Sequence, residues 1–166
     1  MNMSFEAEEI GELTLLVSLH TVAPPGDDWI PYERLLREHK QRVSGEITRL
    51  RVLVVSDGGA PDTQQRHTMQ NEIWQGRPVK VSVLTNSLKN PVVRGIATAL
   101  SWMNPGFKIC NPSDLRGGLV HLELPHAFDR TWECLRRLQA GMPRVATLDL
   151  IADALGRPHL ASNIAR

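Results

Sequence analysis

The chain has few of the residues that mark secreted, metal-binding or membrane-spanning proteins. Its 166 residues include only two cysteines, Cys110 and Cys134, which lack the CxxC spacing and the neighbouring histidine pairs of a zinc site. We therefore predict two reduced thiols, no metal site and no cofactor. The longest apolar runs are too short to cross a bilayer, and the first residues form no apolar signal core. These features predict a cytoplasmic protein without a membrane span.

An excess of charge of either sign is also lacking. The formal net charge is +1, and the lysines and arginines are spread along the chain rather than clustered. Non-specific binding to nucleic acid needs a concentrated positive surface, so we predict no nucleic-acid partner. Hydrophobic residues make up 42% of the chain and charged residues 22%, which is ordinary for a globular domain. The length fits one domain with a sizeable core.

The motifs of nucleophilic catalysis are missing as well. No GxSxG sequence places a serine on a strand-to-helix elbow, and the sequence fixes no histidine beside Ser56 or Thr63. Asp57, Gly58 and Gly59 could hold an anion through the glycine amides, but they lack the longer spacing of a phosphate-binding loop. We therefore predict a protein that is not an enzyme, and we keep a small hydrolase as an alternative.

Apolar periodicity predicts strands that alternate with helices. Residues 13–22 alternate between apolar and polar side chains, which predicts a half-buried strand, whereas residues 52–55 are continuously apolar, which predicts a strand covered on both faces. The predicted strands are 5–11, 13–22, 50–56, 79–85 and 107–110, and the predicted helices are 28–43, 63–75, 91–103, 126–140 and 147–155. This order predicts an α/β fold with a mixed, mostly parallel central sheet of four or five strands and helices packed against it.

Several local signals give finer expectations. Asp27 or Asp28 is expected to cap the first helix, whose apolar stripe includes Trp29 and Ile30, and Ser113 is expected to cap the segment after the last strand. We predict a domain of residues 1–141 and a tail of residues 142–166 with a short amphipathic helix. The apolar stripe of this helix needs a cover, either the protein's own domain, a partner or a second copy of the chain.

The stretch 51–70, RVLVVSDGGAPDTQQRHTMQ, runs from a strand through an Asp-Gly-Gly turn into a helix. Asp62 or Thr63 can cap this helix, which places the Thr63 hydroxyl near the carboxyl edge of the sheet, where open α/β folds usually carry their sites. His20 lies on the polar side of the predicted strand 13–22 and precedes a proline loop near the same edge as Asp57. Its predicted roles are contact with a ligand or an ordinary structural hydrogen bond.

The order of elements resembles the STAS group, the fold of bacterial anti-sigma factor antagonists, and more closely its SpoIIAA-like (STAS/SEC14-like) members. The residues that carry the resemblance lie between Leu13 and Leu138 and are the stretches RVLVVSDGG, PDTQQR, VKVSVLTNS, PVVRGIATALSWMNP and FKICNPSDL. In phosphorylatable STAS proteins, an Asp-Ser pair stands at the start of the helix after the third strand. Asp62-Thr63 occupies this place, so the resemblance implies Thr63 as a phospho-acceptor, with Arg66 in reach of the phosphate. The other interpretation is a plain helix cap.

The resemblance implies a regulatory or scaffold module that binds a partner protein through the helix edge near Thr63. The STAS/SEC14-like branch implies an alternative, a domain that binds a small molecule or a lipid in an apolar pocket between sheet and helices, open near His20 and Asp57. The residues expected to face a partner or a ligand are His20, Asp57, Gly58, Gly59, Asp62, Arg66 and Arg94.

Overall fold

A central mixed sheet organises the computed structural model, which describes residues 2–43 and 45–160. Its five strands lie in the order β1-β2-β3-β4-β5. Their bounds are β1 Met3–Ile10, β2 Leu13–His20, β3 Leu50–Ser56, β4 Lys80–Thr85 and β5 Phe107–Cys110. The pair β1 and β2 is antiparallel, and the other neighbouring pairs are parallel. The predicted fold class is therefore confirmed.

Helices cover both faces of this sheet. Their bounds are α1 Gly26–Arg42, α2 Thr63–His67, which continues as a π-helical stretch Thr68–Ile73, α3 Pro91–Met103, α4 Leu115–His121, α5 Phe128–Ala140 and α6 Ala146–Ala154. The predicted order lacks α4. Asp114 caps it instead of the expected Ser113, because its carboxylate accepts a 2.8 Å hydrogen bond from the Gly117 amide. No helix within the described ranges is long and apolar enough to cross a membrane.

The two faces of the sheet carry separate hydrophobic clusters. Leu15 and Leu53 pack with α4, α5 and α6, whereas Leu16 and Val52 pack with α1 and the segment that follows α2. The prediction that β2 is half-buried is wrong: residues 14–20 are all buried. The polar residues Thr14, Ser18 and His20 are buried as well, so the alternation in the sequence distinguishes two covered sides of the sheet and does not indicate an exposed side.

The start of α1 also differs from the prediction. Pro25 occupies the N-cap position, and no side chain caps the helix. The Asp28 carboxylate instead accepts a 2.6 Å hydrogen bond from the Asn2 amide beside β1. Ile30 is 57% exposed, and the buried side of α1 carries Trp29, Tyr32, Leu36 and His39.

The tail helix covers its own domain. Leu148 and Ile151 of α6 belong to the same hydrophobic cluster as the β2 and β3 side chains, so this stripe is not a free docking surface. The Thr147 hydroxyl donates a 2.7 Å hydrogen bond to the Ser56 carbonyl at the end of β3. The domain boundary after residue 141 stays a prediction, and residues 161–166 of the predicted tail lie outside the described residues.

Candidate functional site

The parallel strands end in a row of polar side chains at one edge of the sheet. His20 at the end of β2 pairs with Ser56 of β3, and Ser56 pairs with Thr85 of β4. All three residues are buried. The first expectation for the site therefore holds in position, because His20 and the turn that begins at Asp57 lie at the same sheet edge.

Hydrogen bonds hold the His20 and Ser56 side chains in structural roles. His20 Nδ1 lies 2.9 Å from the Val22 carbonyl and 3.1 Å from Ser56 Oγ. A carbonyl only accepts, so Nδ1 carries the proton and donates. Ser56 Oγ in turn donates to the Gly58 carbonyl and accepts from the Gly58 amide, each at 3.0 Å. Burial lowers the pKa of His20, so the imidazole is neutral near pH 7.

Asp57 binds the start of α6, and its predicted contact with a partner or ligand stays a prediction. Its carboxylate accepts hydrogen bonds from the Ala146 and Thr147 amides, both at 2.6 Å. The Gly58 amide is taken by Ser56 Oγ, which removes it from the anion cradle considered for this turn. Gly59 has a φ of 78°, and a Cβ there would collide with the Ala23 backbone, so the turn requires glycine at this point.

Asp62, not Thr63, caps α2. The Asp62 carboxylate accepts from the Gln65 amide and the Gln65 side chain accepts from the Asp62 amide, both at 2.8 Å, which forms a capping box. Thr63 is exposed in the first turn, and Arg66 Nη2 donates to its hydroxyl at 3.2 Å. The predicted phospho-acceptor is thus accessible and next to a guanidinium. Its phosphorylation stays a prediction.

Arg94 is exposed in the first turn of α3. It forms no ion pair with any residue in the described ranges. Its backbone amide donates to the Asn90 carbonyl at 3.1 Å, and its carbonyl accepts from the Thr98 hydroxyl at 3.0 Å. The structure therefore brings His20, Asp57, Gly58 and Gly59 together at the sheet edge, and Arg94 is an exposed residue of α3.

A partly enclosed apolar cavity of about 130 Å³ lies between the second face of the sheet and α3. Its floor consists of side chains from three strands: Val52, Val54, Val81, Val83, Phe107 and Ile109. Its roof is the apolar stripe of α3, with Val93, Ile96, Ala97, Leu100 and Met103. His20, Ser56 and Gly59 lie at one end. This is the apolar pocket that the alternative interpretation of the sequence required.

The cavity exists because α3 packs loosely. None of its residues is buried, although its inner stripe is apolar. That stripe includes small side chains such as Ala97, which leave space above the valines of the sheet. The outer side of the helix exposes 69% of Val92 and 82% of Trp102.

The walls of the cavity are nearly free of charge. No Asp or Glu of the described residues lines it, and Arg66 is the charged side chain at its rim. Arg66 is already engaged, because Nη1 lies 2.5 Å from the Pro61 carbonyl and Nη2 bonds Thr63. Burial raises the pKa of Tyr32, which also lines the cavity, so its phenol stays neutral.

One cluster in the described residues has the geometry of a metal site. The ligand atoms of Glu6, Glu8 and Cys134 lie within 4.8 Å of one another. The Arg137 guanidinium already pairs with both carboxylates, at 2.8 and 2.5 Å. Burial and the two glutamates raise the pKa of the Cys134 thiol to about 12, which disfavours the thiolate that binds a metal. The cluster fits an ion-pair network better than a cation.

The sequence did not reveal the residues that line the cavity. Trp29 and Trp74 line it and are both buried. The available signal was the α3 sequence, because its apolar stripe is built from small and medium side chains and its outer side has no acidic residue.

No protein-family model and no curated protein sequence matches the chain. Among solved structures, it is similar to an uncharacterized protein of the DUF3478 family with a SpoIIAA-like fold, from Shewanella loihica PV-4. The two share 14% sequence identity, the match covers 73% of this chain and 94% of that chain, and the TM-score is 0.46. Neither a function nor a site residue follows from a likeness at this level.

Proposed function

We propose that the protein binds a small apolar molecule in the cavity between the sheet and α3, without catalysing a reaction on it. The observation that carries this proposal is the cavity itself, about 130 Å³ in volume and lined mainly by aliphatic and aromatic side chains. Apolar lining with a few polar groups is typical of small-molecule sites. A cavity of about 150 Å³ suffices for benzene, so the ligand is expected to be of the size of one ring.

The polar row at the end of the cavity supports binding rather than catalysis. Ser56 Oγ is held by both backbone groups of Gly58, and the His20 imidazole donates from Nδ1. A general base needs a free lone pair towards the nucleophile, and Nδ1 does not offer one to Ser56. These groups shape and close one end of the cavity.

The proposal is tested by filling the cavity from its roof. The change Ala97→Leu adds aliphatic volume to the inner side of α3, whereas Ala99→Leu adds the same volume to its exposed side. The probe is α-methylstyrene, a ring-sized apolar molecule. A ligand that binds only the folded state raises the melting temperature, so we expect a rise for the wild type and for Ala99→Leu, and none for Ala97→Leu.

Either of two results contradicts the proposal. One is an unchanged melting temperature of the wild type at saturating probe. The other is a rise in Ala97→Leu as large as that in the wild type, because the probe then binds elsewhere on the protein.

A second candidate function is binding of a partner protein through the α2 edge. The observation that favours it is the exposed Thr63 hydroxyl with Arg66 Nη2 at 3.2 Å, since a phosphate there could pair with the guanidinium. Affinity capture with wild type, Thr63→Ala and Thr63→Glu is expected to return different partner sets. Thr48→Glu, at an exposed threonine that precedes β3, serves as the matched control. Identical sets for Thr63→Ala and Thr63→Glu count against this candidate, and self-association would appear as capture of the chain itself.

A further inference from the structure

Two buried indole N–H groups beside the cavity have no hydrogen-bond partner. Three buried side-chain polar atoms lack a partner within the described ranges: Nε1 of Trp29, Nε1 of Trp74 and Nε2 of His39. Both tryptophans line the cavity, and they are only 5% and 7% exposed. His39 does not line it.

An unpaired donor of this kind is unusual. Buried Trp N–H groups normally find an acceptor, because the N–H group loses its hydrogen bond to water on burial. Trp29 belongs to α1 and Trp74 follows the π-helical stretch after α2, so two separate elements each contribute to the cavity lining a tryptophan whose indole N–H has no partner. An acceptor within reach of these N–H groups would satisfy them.

The other polar groups of the cavity can support the same role. Ser18 and Tyr32, which carry hydroxyl groups, also line the cavity. Hydroxyls can donate or accept, whereas an indole N–H can only donate. The two indole groups can therefore be satisfied only by a ligand that carries a hydrogen-bond acceptor.

The acceptor is expected to be uncharged. Burying an ionised carboxylate is costly unless a cation pairs with it. The only charged side chain that the structure places at the lining, Arg66, already bonds the Pro61 carbonyl and the Thr63 hydroxyl. A carbonyl oxygen meets the requirement without a buried charge.

We propose that the ligand is a ring-sized apolar molecule with a carbonyl oxygen, which accepts hydrogen bonds from the indole N–H groups of Trp29 and Trp74. This inference rests on the proposed function and names the chemical class of its ligand. The cavity volume of about 130 Å³ sets the size, and the two unpaired donors set the polar group.

The first test compares two probes of the same shape. Acetophenone and α-methylstyrene differ in having a carbonyl oxygen or a methylene group at one position. In ¹⁵N-labelled protein, the four tryptophans give separate indole signals. We expect acetophenone, but not α-methylstyrene, to shift the Trp29 and Trp74 N–H protons downfield. Trp102 on the outer side of α3 and Trp132 on the opposite face of the sheet are internal controls.

The second test removes the donors and keeps apolar rings in place. Trp29→Phe and Trp74→Phe each remove one donor, and Trp102→Phe is the matched control on the exposed side of α3. We expect wild type and Trp102→Phe to bind acetophenone roughly 3- to 10-fold more tightly than α-methylstyrene, as net hydrogen bonds of ordinary strength imply. This preference should disappear in the double variant Trp29→Phe/Trp74→Phe.

The outcomes separate the two proposals. Equal affinity of the wild type for both probes, or a preference that survives in a folded double variant, overturns the carbonyl inference and leaves the proposed function standing. Binding of neither probe by the wild type overturns the proposed function itself. If the double variant does not fold, the indole shifts of the wild type decide the question.

Discussion

His20 Nδ1 lies 3.1 Å from Ser56 Oγ, but the pair is arranged as a structural hydrogen bond and not as a base with its nucleophile. The Val22 carbonyl at 2.9 Å fixes the proton on Nδ1. Ser56 Oγ donates its own hydrogen bond to the Gly58 carbonyl. The histidine and the serine are therefore close enough for a hydrolase pair, but His20 Nδ1 carries a proton and cannot accept the proton of Ser56.

The first prediction follows from this arrangement. A fluorophosphonate probe, which labels activated serines, is expected to form no adduct with Ser56, because no base can take its proton. Intact-protein mass spectrometry measures the adduct, with an authentic serine hydrolase as the positive control. An adduct that forms on the wild type and is lost in Ser56→Ala would restore the hydrolase alternative.

The second prediction concerns Asp57 and the start of α6. Replacement by alanine removes the acceptor of the Ala146 and Thr147 amides, which both lie 2.6 Å from the carboxylate. The expected cost is about 1–2 kcal/mol of unfolding free energy, the magnitude for loss of a capping acceptor. Urea unfolding measures it. Asp129→Ala, in the first turn of α5 with an 89% exposed side chain, is the control and should cost much less. Equal costs for the two variants would contradict the role of Asp57.

Local signals predicted the elements whose causes are local. Residues 50–56 form β3 as predicted, and Pro91 begins α3 with the Asn90 side chain as its cap. The helix α4 was missed because it contains Gly117 and Gly118, which are poor helix formers. Gly118 lies in a close tertiary contact: its carbonyl accepts a 2.8 Å hydrogen bond from the Ser82 hydroxyl, and a Cβ would come within 3.1 Å of the Leu84 side chain. The apolar periodicity of a short stretch of sequence does not predict such contacts between distant residues.

The site was predicted only in part. The sequence correctly placed His20 and Asp57 at one sheet edge, because parallel strands share their carboxyl ends. It could not show that Asp57 binds the α6 amides, since that contact joins residues far apart in the chain. The missing acceptors of Trp29 and Trp74 could not be predicted either, because a hydrogen-bond inventory requires coordinates.

The third prediction is a loss of stability at mildly acidic pH. Burial lowers the pKa of His20 from its ordinary 6.5, and burial followed by the Arg42 charge lowers that of His39. Below pH 6.5 the unfolded chain therefore binds more protons than the folded one, until the folded-state pKa values are reached. The contribution of the two neutral histidines to the free energy of unfolding is therefore fully present above pH 6.5, and it falls as the pH is lowered from 6.5 towards the folded-state pKa values.

Urea unfolding at pH of about 7.5 and about 5.5 measures this effect. His20→Asn keeps a donor near the Val22 carbonyl and removes the titrating group, so we expect a smaller loss of stability between the two pH values. His39→Asn should do the same independently. A pH dependence that is unchanged in the double variant would show that other groups cause it.

The fourth prediction is that α3 opens more easily than the helices on the opposite face. No residue of α3 is buried, whereas α5 buries Trp132, Leu135 and Leu138. Few buried contacts mean a small free energy of local opening, so the α3 amides should exchange with deuterium faster than those of α5. Mass spectrometry of the exchanged peptides measures both helices in one experiment. A cavity ligand should slow exchange in α3 and leave α5 unchanged, since it adds the contacts that the roof lacks. Equal protection of α3 and α5 in the ligand-free protein would show that α3 is held more tightly than its packing indicates. A ligand would then have to enter the cavity by a route other than movement of α3.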